Sequence, residues 1–421
     1  MSDEAPSSWL NRTVLGAGLT SFLADVGYEM ASAILPAFLM MLGLPQDVVA
    51  RVIGLIEGTA DLLSNAVKIA VGWYSDRIGR RKAFVVGGYA LTGSAFALCA
   101  LAASWPLVLV AKSLAWIGKG LRQPLRNAIL ADAVDETDRG KAFGFHRAGD
   151  TLGAIAGPLI ASALIAWMPA YWFKTSDEPY RVVFLVTLIP GLGAALAFAL
   201  LIREQRFTPK PGLRLGASIR MLPAPFRRFL APVFVFGLAD FSHLLLIFAA
   251  TVLLAPRYES TGLSAEEALQ AAAATAMALY AVKNGAGALA AFPAGALGDR
   301  LGHRRVLLGG YLLGVITMAG FLLLFLTETR SPAWLAVLFA LAGIYVAVQE
   351  ALEPAITADL VPDRAIRGTA MGTLATVNGL GDFVASVGVG ALFALHPQIG
   401  FAAAAVVMLV GTLWLVRTWP R

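Results

Sequence analysis

The stretch that decides how this chain folds is Gly72-Trp-Tyr-Ser-Asp76-Arg77-Ile-Gly79-Arg80-Arg81-Lys82, a short basic segment between two apolar runs. A second copy, with the same order of glycine, Asp-Arg, glycine and basic residues, is Gly295-Ala-Leu-Gly-Asp299-Arg300-Leu-Gly302-His303-Arg304-Arg305. It also lies between apolar runs. Two copies of one loop indicate a chain built from two copies of one structural unit.

The composition places the chain in a membrane. Hydrophobic residues make up 58% of the sequence and charged residues 14%, and the mean hydropathy is +0.72, whereas soluble domains carry about 25% charged residues. Apolar runs of about 20 residues, the length needed to cross the hydrocarbon core, recur throughout the chain. Long runs rather than alternating segments of about ten residues exclude an outer-membrane barrel, so we predict an all-α polytopic membrane protein.

The charge and the cysteine content exclude several other classes of protein. The net charge of +6 does not indicate a nucleic-acid partner, because the basic residues lie in short links between apolar runs, as in cytoplasmic loops. The single cysteine, Cys99, lies within an apolar run, which excludes an intramolecular disulfide and a thiolate metal cluster. The sequence has no Gly-x4-Gly-Lys-Ser/Thr motif, no nucleophile placed beside a base and no histidine cluster. We therefore predict no ATP drive, no enzyme activity, no metal site and no cofactor.

We predict twelve transmembrane helices in two pseudo-symmetric bundles of six. They occupy approximately residues 12–43, 46–73, 83–104, 106–131, 140–168, 182–202, 229–255, 266–296, 305–327, 332–359, 367–394 and 398–417. The predicted domains are residues 1–202, a basic linker at 203–228 with four prolines, and residues 229–421. The basic links are expected on the cytoplasmic side of a bacterial inner membrane, which places both termini in the cytoplasm.

The two halves match beyond the loops. Segments that recur in the same order are Ala128-Ile-Leu-Ala-Asp132 with Ala355-Ile-Thr-Ala-Asp359, Arg139-Gly140 with Arg367-Gly368, and Leu23-Ala-Asp25 with Leu238-Ala-Asp240. Repeated halves place a substrate site near the middle of the membrane, at the interface between them. The predicted partners of the protein, which we expect to be a monomer, are therefore a small-molecule solute and the lipid bilayer.

With these features the chain resembles the major facilitator superfamily, whose signature loop reads Gly, three residues, Asp, Arg or Lys, one residue, Gly, Arg, and Arg or Lys. The first loop fits this pattern, and the second fits with one departure, because His303 stands at the position of Arg80. The resemblance implies a secondary transporter that works by alternating access, with the loops acting as latches on the cytoplasmic side. The latch residues that it implies are Gly72, Asp76, Arg77, Gly79, Arg80, Asp299, Arg300 and Arg304.

The chemistry of the first loop suggests how such a latch is held. We expect Asp76 to accept hydrogen bonds from a helix N-terminus in the other half, where backbone N–H groups are unpaired. Arg77, Arg80 and Arg81 are expected to hold neighbouring carboxylates such as Asp132. The glycines permit tight turns and close helix approach.

Span five contains a second motif with a functional implication. Gly153-Ala-Ile-Ala-Gly157-Pro158 is similar to the glycine-proline motif of drug–proton antiporters. It departs from that motif at Ala161 and Ser162, where a trailing pair of glycines is usual. The similarity favours export of a drug or metabolite.

Carboxylates inside the predicted spans are the candidates for proton coupling, because an ionisable group in a membrane is costly and is retained for a function. Asp25 and Glu29 lie one helical turn apart in span one, as do Glu57 and Asp61 in span two. Two such neighbours repel when both ionise, so one of each pair is expected to hold a proton near neutral pH. Asp240 matches Asp25 in the repeat and is expected to share its role. The alternative is that these acids pair with cations and only lock the bundle.

Span four is rich in positive charge. Lys119, Arg122 and Arg126 fall on one broad helical face. They are expected either to bind an anionic group of the solute, which suits the forked donors of arginine, or to form gate ion pairs with Glu350 and Glu353 of span ten. The further substrate-binding candidates are Arg147, Tyr28, His243 and Glu350.

The sequence therefore predicts a secondary active transporter for a small solute, driven by a proton gradient through symport or antiport. Export of a drug or metabolite is slightly favoured. The alternative solute is an anion, such as a carboxylate, an organophosphate or a metal chelate (siderophore), moved in or out at Lys119, Arg122 and Arg126. The alternative outside the transporter class is a membrane sensor that has lost transport.

Overall fold

A computed structural model describes residues 8–44, 46–168, 172–205, 207–212 and 214–418, so the two ends of the predicted domains lie outside the described residues. The regular structure of these residues is helical, without strands. The first half contains α1 (Arg12–Met41), α2 (Gln46–Ile78), α3 (Lys82–Ala97), α4 (Trp105–Asp132), α5 (Arg139–Trp167), α6 (Glu178–Val186) and α7 (Leu188–Leu201). The linker contains α8 (Leu215–Met221). The second half contains α9 (Ala224–Gly237), α10 (His243–Glu259), α11 (Ala265–Leu301), α12 (His303–Leu326), α13 (Pro332–Leu360), α14 (Arg367–Leu395) and α15 (Pro397–Thr418).

These helices confirm the predicted all-α architecture of twelve spans, but two spans are interrupted. Span six consists of α6 and α7, which meet at Thr187. Span seven consists of α9 and α10, with a non-helical break at residues 238–242, and α9 begins at Ala224, inside the predicted linker. Ser242 caps the second segment by accepting a hydrogen bond from the Leu244 N–H at 3.3 Å. The break places Asp240 on irregular backbone, whereas its repeat counterpart Asp25 lies within the continuous helix α1.

Eight of the described helical segments are long and apolar enough to cross a membrane by length and composition. The spans that fail this criterion are α2, α4 and α11, together with the interrupted span seven. Three of these four carry intramembrane charges singled out from the sequence: α2 contains Glu57 and Asp61, α4 contains Lys119, and span seven contains Asp240. Low hydropathy therefore marks the helices that line the interior of the bundle.

The halves meet at the end of the bundle that carries the loops 72–82 and 295–305, which we name the latch end. Here α2 crosses α14, and α5 crosses α11, with their backbones in direct contact at glycines. A Cβ added to Gly140 would lie 2.7 Å from Oδ1 of Asp299, and one added to Gly368 would lie 2.8 Å from the carbonyl oxygen of Gly72. Only glycine allows helices to approach this closely.

The opposite end of the bundle, which we name the open end, is not closed in this way. One face of α2 is formed by the residues at positions 54, 58, 61, 65, 68 and 72. On this face Gly72 and Asn65 contact glycines of α14. Further along the same face Asp61 is exposed, and nothing lies within 4 Å of a Cβ built on Gly58 or Gly54. The halves therefore separate toward the open end, and a cavity between them reaches the middle of the bundle.

Candidate functional site

The first latch joins α2 to the start of α14 in the other half. The carboxylate of Asp76 accepts hydrogen bonds from the N–H groups of Gly368 and Thr369, at 3.1 and 2.6 Å, and from Oγ1 of Thr369 at 2.9 Å. These donors lie in the first turn of α14, where N–H groups have no helical partner and the helix dipole attracts negative charge. The predicted role of Asp76 at a helix N-terminus of the other half is confirmed.

Arg81 completes this latch. Its guanidinium donates to Asp76 at 2.9 Å and to Asp132 at 2.7 Å. Asp132 is also paired with Arg367, the first residue of α14. We name these four residues, Asp76, Arg81, Asp132 and Arg367, the N-latch. Its members are almost completely buried, so the charges neutralise one another without help from water.

The second latch repeats the arrangement with the halves exchanged. Asp299 accepts hydrogen bonds from the N–H groups of Gly140 and Lys141, at 2.7 and 2.8 Å, in the first turn of α5. His303 bridges two carboxylates, with Nε2 at 2.9 Å from Asp299 and Nδ1 at 2.7 Å from Asp359. Arg139 donates to the other oxygen of Asp359 at 2.6 Å. Asp299, His303, Asp359 and Arg139 form the C-latch.

The structure corrects part of the predicted latch. Arg77 lies with its guanidinium 5.7 Å from the ring centroid of Trp73, and Arg304 donates to the carbonyl oxygen of Val416. Arg81 does hold Asp132 as predicted. The other residues that hold carboxylates are His303, Arg139 and Arg367, which were not among the predicted latch residues. Arg80 and Arg300 are exposed at the surface. The signal for the missed pair was present, because the repeated Arg-Gly dipeptides stand directly at the start of α5 and α14.

Two predicted latch glycines are required by backbone conformation. Gly79 has a φ of 71° and its counterpart Gly302 a φ of 95°. Residues with a side chain rarely adopt this left-handed region, so glycine is needed where each loop turns into the next helix.

The predicted proton-coupling carboxylates of α2 have different partners. Glu57 forms an ion pair with Lys112, with Nζ at 2.9 Å from Oε1. Asp61 is exposed toward the cavity and accepts a hydrogen bond from Nε1 of Trp116 at 2.7 Å. A pair such as Glu57–Lys112 fits the alternative in which acids lock the bundle. Asp61, in contrast, bonds to a neutral donor, and none of the described cations lies within 4 Å of its carboxylate.

Asp25, Glu29 and Asp240 lie deeper. Asp25 and Glu29 are partly buried on α1, close enough to Lys119 for its charge to act on both. Asp240 accepts a hydrogen bond from the hydroxyl of Tyr345 at 3.1 Å. The structure thus distributes the acids around the cavity on both halves, and their role in proton coupling stays a prediction.

The cations of α4 do not form the predicted gate. Arg122 is 3% exposed, with its guanidinium 4.4 Å from the ring centroid of Tyr89. Arg126 lies against the same tyrosine, with Nη1 3.4 Å from the hydroxyl. Both arginines therefore point toward α3 within their own half and away from span ten.

Glu350 and Glu353 have other partners. Glu350 pairs with Arg147 of the other half, and Arg147 also holds Asp150 at 2.5 Å. Glu353 accepts hydrogen bonds from Tyr311 at 2.7 Å and from Asn378 at 2.6 Å. Arg147 and Asp150 thus form a pair within α5, and the ion pair that joins the two halves near the middle of the membrane is Arg147–Glu350 rather than one with Arg122 or Arg126.

The remaining substrate-binding candidates lie beside aromatic rings. Lys119 has its ammonium 5.2 Å from the ring centroid of Tyr28 and 4.9 Å from that of Trp116. His243, at the start of α10, is stacked on Tyr280 with ring centroids 4.7 Å apart. Among the described residues no group of three or more histidine, cysteine, aspartate or glutamate side chains is arranged to hold a metal ion.

Comparisons with known proteins cover almost the whole chain. A family model described as Major Facilitator Superfamily matches residues 17–283 and 267–421. An uncharacterised MFS-type transporter of Methanocaldococcus jannaschii is 32% identical, over 97% of this chain and 95% of the relative. A crystal structure of a transporter of this superfamily in the outward conformation is 16% identical with a TM-score of 0.69, covering 97% of this chain and 99% of the other. A proton:xylose symporter structure is 15% identical with a TM-score of 0.72, covering 97% and 95%.

Proposed function

The chain is a transporter of the major facilitator superfamily and not an enzyme, and on that premise we propose that it moves a small solute across a bacterial inner membrane in exchange or together with protons. The two six-helix halves alternate between states that open the cavity to one side or the other. The proton gradient supplies the energy.

The conformation described here fits the outward-open state of such a cycle. The latch end carries the basic loops, which favour the cytoplasm, and both latches are closed. The side chain of Glu350 is 43% exposed although it pairs across the halves, and the closed latches leave only the open end as a path for water. Solute would therefore enter from the periplasmic side of this state.

One observation carries the proposed proton coupling. Asp61 is exposed in the cavity and bonds to the neutral indole of Trp116, while Glu57, one turn away, is held by Lys112. A carboxyl group without a cation partner can gain or lose a proton as the cavity changes side, at little cost to the bundle.

The structure constrains the identity of the solute less than it constrains the fold. The side chains around the cavity nevertheless favour an anionic solute over a drug. Lys119 has no carboxylate within ion-pair distance in the part of the chain that the structure describes, whereas Arg122 is buried against Tyr89. In contrast, Gly157 of the glycine-proline motif packs on α1, where an added Cβ would lie 2.8 Å from Cβ of Glu29. In this structure the motif serves the packing of α5 on α1, so it is weaker support for drug export than it is in the sequence alone.

Proteoliposomes with a pH-sensitive dye inside test the coupling. A transported solute is expected to cause proton movement in the wild type, and Asp61→Asn is expected to abolish the proton signal while solute still exchanges. Asp135→Asn, at an exposed position in the loop after α4, is the matched control and should behave as wild type. Proton movement that is unchanged in Asp61→Asn would overturn the assignment. A protein that binds solutes but moves none of them would support the sensor alternative.

A further inference from the structure

A lysine beside aromatic rings lines the cavity from the first half. The ammonium of Lys119 lies 5.2 Å from the ring centroid of Tyr28 and 4.9 Å from that of Trp116. Lys112 shares the same two rings, at 5.7 and 3.7 Å, but it is neutralised by Glu57. Lys119 therefore keeps free donors beside a flat aromatic surface.

The second half presents the same combination. The ammonium of Lys283, on α11, lies 5.6 Å from the ring centroid of Tyr280. Tyr280 is in turn stacked on His243, with an angle of 16° between the rings. Neither Lys283 nor Tyr280 was among the substrate-binding candidates taken from the sequence, because α11 reads as an alanine-rich helix with a single lysine at its centre.

The two lysine–aromatic pairs lie on opposite halves of the bundle, and both are close to α5, because α1, which carries Tyr28, and α11, which carries Lys283 and Tyr280, both pack against that helix. Lys283 lies within the field of both Arg147 and Glu350, the ion pair that joins the halves. At 1.5 Å per residue, Lys119 lies about 20 Å and Lys283 about 27 Å from the latch ends of their helices, so both are near mid-membrane.

Neither lysine is satisfied by the protein at close range. Among the described residues no carboxylate oxygen lies within 4 Å of either ammonium. The nearby acids, Asp25 and Glu29 for Lys119, and Asp240 and Glu350 for Lys283, act from a greater distance. They leave the N–H donors of both lysines free, an arrangement that suits a ligand with acidic groups.

We infer that the solute is a planar organic acid whose acidic groups pair with Lys119 on one half and Lys283 on the other, while its conjugated body lies against Tyr28, Trp116 and Tyr280. Flat rings favour a flat ligand through stacking. An acid that reaches both lysines draws the halves together, which is the movement that closes the cavity. This inference rests on the proposal that the cavity is a transport site.

Equilibrium binding to the purified full chain in detergent, at one pH and without a gradient, tests the inference with four probes. Terephthalate has a flat ring with two opposed carboxylates, benzoate has one carboxylate, benzamide has the ring without charge, and trans-cyclohexane-1,4-dicarboxylate has two charges on a ring that is not flat. Loss of one charged hydrogen bond reduces affinity by about tenfold or more. We expect terephthalate to bind at least about tenfold more tightly than benzoate, and both of the other probes to bind more weakly than terephthalate.

Lysine variants locate the binding. Lys119→Met and Lys283→Met are each expected to weaken terephthalate binding by about tenfold or more, toward the affinity of benzoate. Lys174→Met, at an exposed position near the open end, is the matched control and should bind as wild type. If the methionine variants misfold, Lys119→Arg and Lys283→Arg are measured in their place. Both keep the charge and should retain most of the affinity for terephthalate.

The outcomes separate this inference from the proposed coupling. Terephthalate that binds no more tightly than benzamide to the wild type, or equally to wild type and both methionine variants, overturns the planar-acid inference. Proton-driven transport of some other solute would then still stand. If terephthalate binds as expected but its flux does not respond to a pH gradient, the coupling proposal fails and the assignment of the solute class is kept.

Discussion

The N-latch and the C-latch have the same plan and differ in one residue and in burial. Each joins an aspartate of one half to the first turn of a helix in the other half, and each has a basic residue that bridges two carboxylates. The bridging residue is Arg81 in the N-latch and His303 in the C-latch. Asp132 of the N-latch has 3% of its side chain exposed, whereas its counterpart Asp359 has 34% exposed.

These differences in burial and in the bridging residue indicate that the two latches differ in stability. The N-latch holds permanent charges away from water, so loss of one partner leaves the others unpaired in a medium of low dielectric constant. The C-latch is partly hydrated and depends on His303. Although burial opposes the shift, the hydrogen bonds with Asp299 and Asp359 raise the pKa of this side chain to about 9, so it loses its charge only at alkaline pH. We expect the C-latch to open first when the latch end separates, and the following experiments test that order.

The largest effect is expected from Asp132→Ala. It leaves Arg81 and Arg367 buried without their shared partner, which should lower the free energy of unfolding by about 3–5 kcal/mol. Asp359→Ala should cost about 1 kcal/mol, because water replaces the lost carboxylate. Glu136→Ala, at a side chain that is 72% exposed, is the control and should change little. Denaturant unfolding in detergent measures all three, and equal losses in Asp132→Ala and Asp359→Ala would contradict the comparison.

The next effect concerns the aspartates that contact the opposite half. Asp76 accepts four hydrogen bonds and Asp299 three, so Asp76→Asn should shift the latch equilibrium by about 2 kcal/mol and Asp299→Asn by less. Spin labels at Ile78→Cys and Pro362→Cys report on the N-latch, and labels at Thr137→Cys and Leu301→Cys report on the C-latch. Both pairs require a Cys99→Ala background. Longer distances in Asp299→Asn than in Asp76→Asn would reverse the proposed order.

The C-latch is expected to respond to pH and the N-latch is not. The two ring nitrogens of His303 face Asp299 and Asp359, and ionised carboxylates only accept hydrogen bonds, so both bonds require the protonated ring. As the pH rises and the ring loses its proton, one bond is lost and closure weakens by about 1 kcal/mol, while Arg139 still holds Asp359.

The measurement is the pH dependence of the Thr137–Leu301 label distance. In the wild type the population of the open C-latch should rise as the pH passes about 9, where His303 loses its proton, and His303→Arg should remain closed across this range because arginine keeps its charge. The reverse variant, Arg81→His, should make the Ile78–Pro362 distance depend on pH. A response to pH that persists unchanged in His303→Arg would assign it to another group.

The smallest effect is expected at the edge of the N-latch. Asp363 lies between α13 and α14. Although burial opposes the shift, the hydrogen bond from Lys210 lowers the pKa of this carboxyl group. The lowered pKa means that the pair stabilises the fold above the ordinary pKa of aspartate and loses this contribution as the pH falls. Because the pair is half-exposed, Lys210→Met should cost no more than about 0.5 kcal/mol, and added salt should remove the difference. Unfolding of the two proteins at low and high salt measures it.

The sequence by itself determined the architecture and the main parts of the latches. Long apolar runs and a duplicated loop were sufficient for twelve spans in two halves, because a bilayer imposes a fixed length on every crossing. The position of Asp76 at a helix N-terminus of the other half also followed from sequence, because a carboxylate is stabilised by the unpaired N–H groups there, whereas the matching position of Asp299 was seen in the structure.

Only the tertiary structure decided which charges meet. Arg81 rather than Arg77 or Arg80 reaches Asp132, and Arg147 rather than Arg122 reaches Glu350, although all of these residues have suitable chemistry. The break at residues 238–242 and the pairing of Lys283 with Tyr280 also came from the fold. The physical reason is that a membrane helix is apolar toward lipid and toward its neighbours alike, so its sequence gives little sign of which way a face points. Partners separated by some 200 residues along the chain, such as Arg147 and Glu350, are brought together only when the two halves pack.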